Sequence, residues 1–245
     1  MSLPENCFSF FDFDNTLYKG QSRYLILDFS TYIEKQGVFK SQELHYLHCL
    51  LTTYLEGRIN RHDFAVQVVK SYYRGLTGCP EIEIAELARQ YWDQLQTEAW
   101  FPYTHQLLNL VNKFTTTILI SGSPLEVLHH VIKPLGIREI YASKGVIQNG
   151  VYSGSMEQEM ATQSAKARSM RELSTKLSFN PTTSFAFGDS ESDFPMLLAV
   201  DPINAFLLGA KESLKNKIMD NNWNLLDKDT EILEHVQARI SNLFS

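Results

Sequence analysis

Asp12 and Asp14 stand one residue apart in Asp12-Phe13-Asp14-Asn15-Thr16-Leu17, directly after an apolar run that contains Phe8, Phe10 and Phe11. Two carboxylates this close repel each other unless a cation sits between or beside them. A hard divalent ion such as Mg²⁺ suits them, because it takes oxygen ligands and leaves positions open for a phosphate. Further polar groups lie downstream: Ser121-Gly122, Lys166, and Asp189 with Asp193 in Gly188-Asp189-Ser190-Glu191-Ser192-Asp193. The carboxylates of Asp12, Asp14 and Asp189 together suit one Mg²⁺ with room for a ligand oxygen. A serine hydroxyl, nearby backbone N–H groups and a lysine suit the other oxygens of a phosphate. A carboxylate not wholly tied up by metal can attack phosphorus, and a second can serve as acid to the leaving group and base to water. Each group also has a plainer reading. The Asp pair is an acidic loop, Ser121-Gly122 a strand-to-helix turn, Lys166 a solvated helix lysine and Asp193 the cap of a helix starting at Phe194.

The chemistry needs elements that bring these segments together. Phe8 to Phe13 reads as a buried strand, whose alternation aims Asp12 and Asp14 roughly the same way. From about Gln21 to Trp100 apolar residues recur at three- and four-residue steps, which predicts a helical block broken at Gly75–Pro80, its last helix spanning Glu81 to Gln96. Then strands and helices alternate. Helices are expected over Thr104–Lys113, from Pro124 to about Leu135, over Thr162–Leu177 and over Phe194–Val200. Strands are expected at Thr116–Ile120, Glu139–Ala142, Ser184–Phe187 and Ile203–Phe206, with a hairpin turning at Asn149-Gly150 and a C-terminal helix or two. That alternation implies an α/β fold with a doubly wound parallel sheet. The expected division is a core of residues 1–20 and 101–245 with an inserted helical cap, 21–100, over the carboxyl edge of the sheet, where ligands bind in such folds.

Composition narrows the class. The 245 residues are 44% hydrophobic and 20% charged, enough for a sizeable core in one or two domains. The formal charge of −6, without a Lys/Arg-dense stripe, argues against nucleic acid as a partner. Cys7, Cys49 and Cys79 form no Cys-x-x-Cys pair, which fits a reducing, cytoplasmic setting. The first residues lack a signal-peptide pattern, and no apolar run approaches the roughly 20 residues of a membrane helix. His129 and His130 have no partner cluster, and Asp227–Glu231 reads as a solvated turn and helix start. Oligomeric state stays open.

The four motifs, in order, resemble those of the haloacid dehalogenase superfamily of aspartate-nucleophile hydrolases, most closely its phosphoserine-phosphatase-like branch. Asp12–Leu17 is similar to the first motif, Ile120-Ser121-Gly122-Ser123-Pro124 to the second, Lys166 to the third and Gly188–Asp193 to the fourth. The resemblance implies a Rossmann-like core with a helical cap and a Mg²⁺-dependent phosphatase acting on a small phosphorylated metabolite through a phospho-aspartate. It implies Asp12 as nucleophile and metal ligand, and Asp14 as acid, then base, giving its backbone carbonyl to the metal. Asp189 would ligate Mg²⁺ with Asp12, and Asp193 would support the metal shell or orient Lys166. Ser121, the Gly122 N–H and Lys166 would bind phosphate oxygens, with Ser192 on the same side and Thr16 hydrogen-bonding near the nucleophile. Two departures bear on substrate. No acidic residue follows in Tyr18-Lys19-Gly20-Gln21-Ser22 to hold an amino group, and Ser192 stands where phosphoserine phosphatases often have asparagine. The alternatives are a phosphotransferase and a non-catalytic binding module; the presence of both Asp12 and Asp14 speaks against the latter.

Overall fold

Four residues, Phe8–Phe11, form the central strand β1, paired in parallel with β2 (Thr116–Pro124) on one side and β5 (Phe185–Gly188) on the other. The structure, a computed structural model, describes residues 6–95, 99–209, 212–226 and 229–244. Beyond β2 lie β3 (Glu139–Gln148) and β4 (Val151–Gln158); beyond β5 lie β6 (Ala205–Leu208) and β7 (Asn224–Leu226). The order in this seven-stranded sheet is β4-β3-β2-β1-β5-β6-β7, parallel throughout except for the β3–β4 hairpin. This is the doubly wound parallel sheet that the sequence predicts. The chain winds outward from β1 in both directions, so β1 lies at the switch point where open α/β sheets form a crevice.

Strand alternation sends Phe10 and Phe11 to opposite faces. Phe10 packs with Ile118, Ala186 and Leu207 under α7 (Gln163–Leu177) and α8 (Phe194–Leu197). Phe11 packs with Leu119, Phe187 and Phe206, its ring stacked 4.3 Å from that of Phe187. Leu107 of α5 (Thr104–Val111) and Val236 of α10 (Asp229–Phe244) cover that face. Thr162 caps α7 by accepting from the Ala165 N–H at 3.2 Å, which fixes the first turn that carries Lys166.

Between β1 and α5 run four helices, α1 (Leu25–Glu34), α2 (Ser41–Leu55), α3 (Arg61–Gly75) and α4 (Glu81–Gln94). The chain enters and leaves this segment at one place. The Lys19 and Gly20 N–H groups donate to Ala99 O at 2.8 and 3.1 Å, and Phe101 N–H donates to Leu17 O at 3.3 Å. A second anchor lies at the far end. Tyr152 N–H donates to Cys79 O, Gly78 N–H to Tyr152 O and Glu81 N–H to Gly150 O, all within 2.9 Å. The helices' apolar core, with Leu47, Phe64 and Tyr72, is continuous with the Phe11 face of the sheet.

Several boundaries differ from the sequence expectation. Glu139–Ala142 and the first arm of the hairpin are one strand, because β3 continues past β2 to pair with β4. The helix after Pro124 is only α6 (Leu125–Leu128) and a tight turn at His129–Val131, because Ser121–Pro124 stays extended and Pro124 pairs with Ser143. α8 ends at Leu197, and the edge strand β7 and the short helix α9 (Lys215–Asp220) complete the order. Residue 96 of the last predicted helix of the block, residues 1–5 and residues 227–228 of the predicted acidic turn lie outside the described residues. Among the described residues no helix is long and apolar enough to cross a membrane.

One buried acid sits between the helices and the sheet. Glu126 Oε1 and the Tyr72 hydroxyl are buried without a hydrogen-bond partner among the described residues, while Tyr73 donates to Ser143 O at 2.9 Å. Burial pushes Glu126 up to about 7 from its usual 4.5. The folded protein therefore holds this proton more tightly than the unfolded chain. The stability it contributes is full below pH 4.5 and lost as the pH rises through about 7. Glu126→Gln is expected to raise the melting temperature at pH 8 by a few degrees, worth about 1–3 kcal/mol, and to do little at pH 5. Thermal melts at both pH values check it, and equal shifts would contradict the assignment.

Candidate active site

Three segments supply the site: the end of β1, the end of its neighbour β5 and the first turn of α7. The sheet ladder continues one residue past β1, with Asp12 N–H donating to Phe187 O at 3.0 Å. The chain then turns sharply. Leu17 and Tyr18 N–H both donate to Phe13 O at 2.9 Å, and Asn15 takes the left-handed conformation at φ 62° that asparagine tolerates well. β5 ends at Gly188 and delivers Asp189, and α7 brings Lys166 in from below.

Lys166 is 1% exposed, and its Nζ lies 2.6 Å from Asp12 Oδ1 and 2.6 Å from Asp193 Oδ1. Carboxylate oxygens of Asp12, Asp189 and Asp193 lie within 4.8 Å of one another. Asp193 has both oxygens occupied: Oδ1 by Lys166, and Oδ2 by the N–H groups of Asp189 and Ser190 and the Ser190 hydroxyl at 2.9–3.0 Å. It therefore braces the 188–193 loop and Lys166. Asp189 Oδ2 accepts from Asn15 Nδ2 at 2.6 Å. Among the described residues Asp12 Oδ2 and Asp189 Oδ1 accept no hydrogen bond, and both residues line the cavity.

The charges do not balance. Burial raises Asp12 well above the usual carboxylate range, and the neighbouring Asp193, Asp189 and Asp14 carboxylates add to the rise against the pull of Lys166. Burial and Asp193 likewise raise Asp189 to about 6. Burial alone would lower Lys166, but Asp12 and Asp193 outweigh it and hold its pKa above the usual value. Three clustered carboxylates with one ammonium thus leave room for further positive charge, and their hard oxygen donors fit a cation such as Mg²⁺.

Asp14 takes a separate place. It lines the cavity outside that cluster, its Oδ1 accepting from the Leu25 N–H at 2.7 Å and its Oδ2 from the Ser123 hydroxyl at 2.6 Å. The cluster is thus Asp12, Asp189 and Asp193, where the sequence reading puts Asp12, Asp14 and Asp189 around one ion. The tight turn after Phe11 ends the strand alternation that would align the two side chains. Burial pushes Asp14 up to about 6, opposed by those two hydrogen bonds.

The remaining predicted residues are spread around this centre. Gly122 lines the cavity at a point where a side chain could not fit, since an added Cβ would lie 2.5 Å from Ala161 Cβ and 2.8 Å from its Cα. Ser121 is buried beneath, and its Oγ accepts from the Ser123 N–H at 3.1 Å, which leaves the hydroxyl proton to be donated elsewhere. Ser192 lines the cavity and shares a hydrogen bond of 2.8 Å with Ser190. Thr16 is buried outside the lining, its Oγ1 without a hydrogen-bond partner among the described residues.

The cavity above these groups has a volume of about 280 Å³. The helical segment closes its other side with Tyr24, Tyr54 and Phe64, joined by Arg61, whose guanidinium lies 5.8 Å from the Phe64 ring centre. Arg23 also lines it, and the helical segment contributes no carboxylate to the described lining. The sequence offers Arg23, Tyr24, Tyr54 and Arg61 among several polar and aromatic groups of the helical block, and periodicity does not single them out. It gave no sign that Asn15 would hold Asp189 or that Ser123 would hold Asp14.

The sequence profile described as haloacid dehalogenase-like hydrolase matches residues 9–198. A Mycobacterium tuberculosis protein named phosphoserine phosphatase SerB1 is 23% identical over 221 residues, spanning 89% of this chain and 70% of the relative. A Bordetella pertussis protein of unknown function shares the fold with a TM-score of 0.72 at 17% identity, over 91% of this chain and 99% of that one. A substrate-bound phosphoserine phosphatase shares it with a TM-score of 0.64 at 17% identity, over 95% and 99% of the two chains.

Proposed function

Because the chain belongs to the haloacid dehalogenase-like hydrolases, we propose that it is a Mg²⁺-dependent phosphatase that hydrolyses a small phosphate monoester through a phospho-aspartate at Asp12. The observation that carries this reading is the buried Lys166, shared between Asp12 and Asp193 beside Asp189 and beneath the cavity. Asp12 attacks phosphorus, and the bond to the ester oxygen breaks as Asp14 gives that oxygen its proton. Water then attacks the phosphorus of the acyl phosphate; Asp14 takes the water's proton and Asp12 is released. With its carboxyl near 6, Asp14 is suited to both transfers around neutrality. Lys166 balances the charge spread over the phosphoryl oxygens, and the Gly122 N–H in the cavity wall would hold them, with Ser121 buried behind it outside the lining. Asp12 and Asp189, with the Asp14 carbonyl, would hold Mg²⁺, which supplies neutralisation of the phosphate oxygens.

Residues 21–100 would act as the cap that closes over the substrate and opens to admit water and release product. Their contribution of Arg23 and Arg61 without a carboxylate supports a phosphorylated metabolite lacking an amino group over phosphoserine. Cys7, Cys49 and Cys79 form no disulfide among the described residues, which supports a reducing cytoplasm. Excess EDTA is expected to lower p-nitrophenyl phosphate hydrolysis by at least about 10²-fold, and added Mg²⁺ to restore it. Turnover indifferent to EDTA would refute the metal dependence. A panel of phosphorylated hydroxy acids, sugars and amino acids, compared by kcat/KM, tests the substrate class.

A further inference from the structure

A carboxylate that hands a proton to one oxygen and later takes one from another has to be held at a fixed angle to both. Asp14 is held by two donors, one on each oxygen. The Leu25 N–H, at the start of α1, reaches Oδ1 at 2.7 Å. The Ser123 hydroxyl reaches Oδ2 at 2.6 Å. Ser123 is 1% exposed and does not line the cavity, so it has no surface to offer a substrate. Its own position is fixed by the extended end of β2. There the next residue, Pro124, pairs with Ser143, and the Ser143 hydroxyl donates to Gly122 O at 2.8 Å. The Ser123 N–H meanwhile caps the Ser121 oxygen at 3.1 Å.

We propose that Ser123 is the positioning residue of the proton-transfer step, aiming Asp14 at the leaving-group oxygen. This rests on the assignment of Asp14 as acid and base. Removing the hydroxyl, as in Ser123→Ala, leaves Oδ2 without its donor, and the carboxyl is then free to turn on the remaining hydrogen bond to Leu25.

The consequence depends on the leaving group. kcat/KM covers the steps up to transfer of the phosphoryl group to Asp12 and departure of the alcohol. An alkoxide is too basic to leave without a proton, whereas p-nitrophenolate leaves readily without one. Ser123→Ala is therefore expected to lower kcat/KM for β-glycerophosphate by about 10- to 100-fold and for p-nitrophenyl phosphate by no more than about threefold. The ratio of the two values does not depend on the fraction of protein that is folded, so a less stable variant still gives an answer. Ser123→Thr, which keeps the hydroxyl, should bring the ratio back toward that of the wild type. Equal losses on both esters, or no loss on either, overturn the role of Ser123 and leave the phosphatase reading standing. Wild-type protein that hydrolyses neither ester overturns both.

Discussion

Asp12→Asn protein is expected to hydrolyse p-nitrophenyl phosphate on the order of 10⁴- to 10⁶-fold more slowly than wild type, the scale on which loss of a nucleophile acts in other covalent enzymes. The amide cannot form the acyl phosphate, and neither Asp193 nor Asp14 can take its place. Asp193 has both oxygens occupied, and Asp14 faces Ser123 and Leu25. The same substitution should cost little stability. Asp12 is buried among Asp193, Asp189 and Asp14, and its charge is disfavoured there. Removing that charge relieves the repulsion, and the amide oxygen can still accept from Lys166. A melting temperature equal to or above that of wild type, with activity at background, is the expected pair of results. Activity within about 10²-fold of wild type would exclude Asp12 as nucleophile.

Lys166→Met should fail in both respects. The side chain is 1% exposed and lies 2.6 Å from each of two carboxylates. Without its ammonium those carboxylates remain buried with no cation beside them, a situation that costs about 3–5 kcal/mol when one partner of a buried pair is removed. Urea denaturation at pH 8 should show that loss, and a thermal melt a drop of about 10 °C. The deficit should shrink at pH 5, because burial already raises Asp12 and the loss of Lys166 removes the pull that opposes the rise. Protonation then relieves part of the repulsion. The folded remainder should turn over about 10²- to 10³-fold more slowly, the usual loss for one preorganised charge partner. Full stability at pH 8 would mean that Asp12 and Asp193 are balanced by another group.

Much of this arrangement can be read along the chain. Phe8–Phe11, Phe185–Gly188 and the β-branched Thr116–Ile120 are apolar enough to be buried on both faces, and a polar cluster follows each at once. That coincidence, repeated three times, marks a site on the sheet edge before any contact is known. Other features were hidden for physical reasons. β7 has only three residues, too short to show a period, and it is a strand because β6 offers an open edge. The separation of Asp14 from the other carboxylates depends on a turn that strand alternation does not anticipate. Its two partners, Ser123 and the Leu25 amide, lie 109 and 11 residues away, and a backbone N–H has no sequence signature at all. The cavity-facing set of Tyr24, Tyr54, Arg61 and Phe64 comes from three segments of one helical block, and only their mutual packing selects them from the block's other aromatic and basic residues.

The joint at Leu17–Gly20 and Ala99–Phe101 has a consequence for how such a chain can change over time. Since the segments leading into and out of the four helices already touch, a brief turn in place of the helices would close with little entropic penalty and without rethreading the sheet. If residues 21–100 act as the proposed cap, specificity and catalysis reside in pieces that can be inherited separately, the one traded or lengthened while the other stays fixed. What resists the trade is the distant seam at Cys79 and Tyr152, where a replacement must either cover the hairpin again or leave its backbone to water.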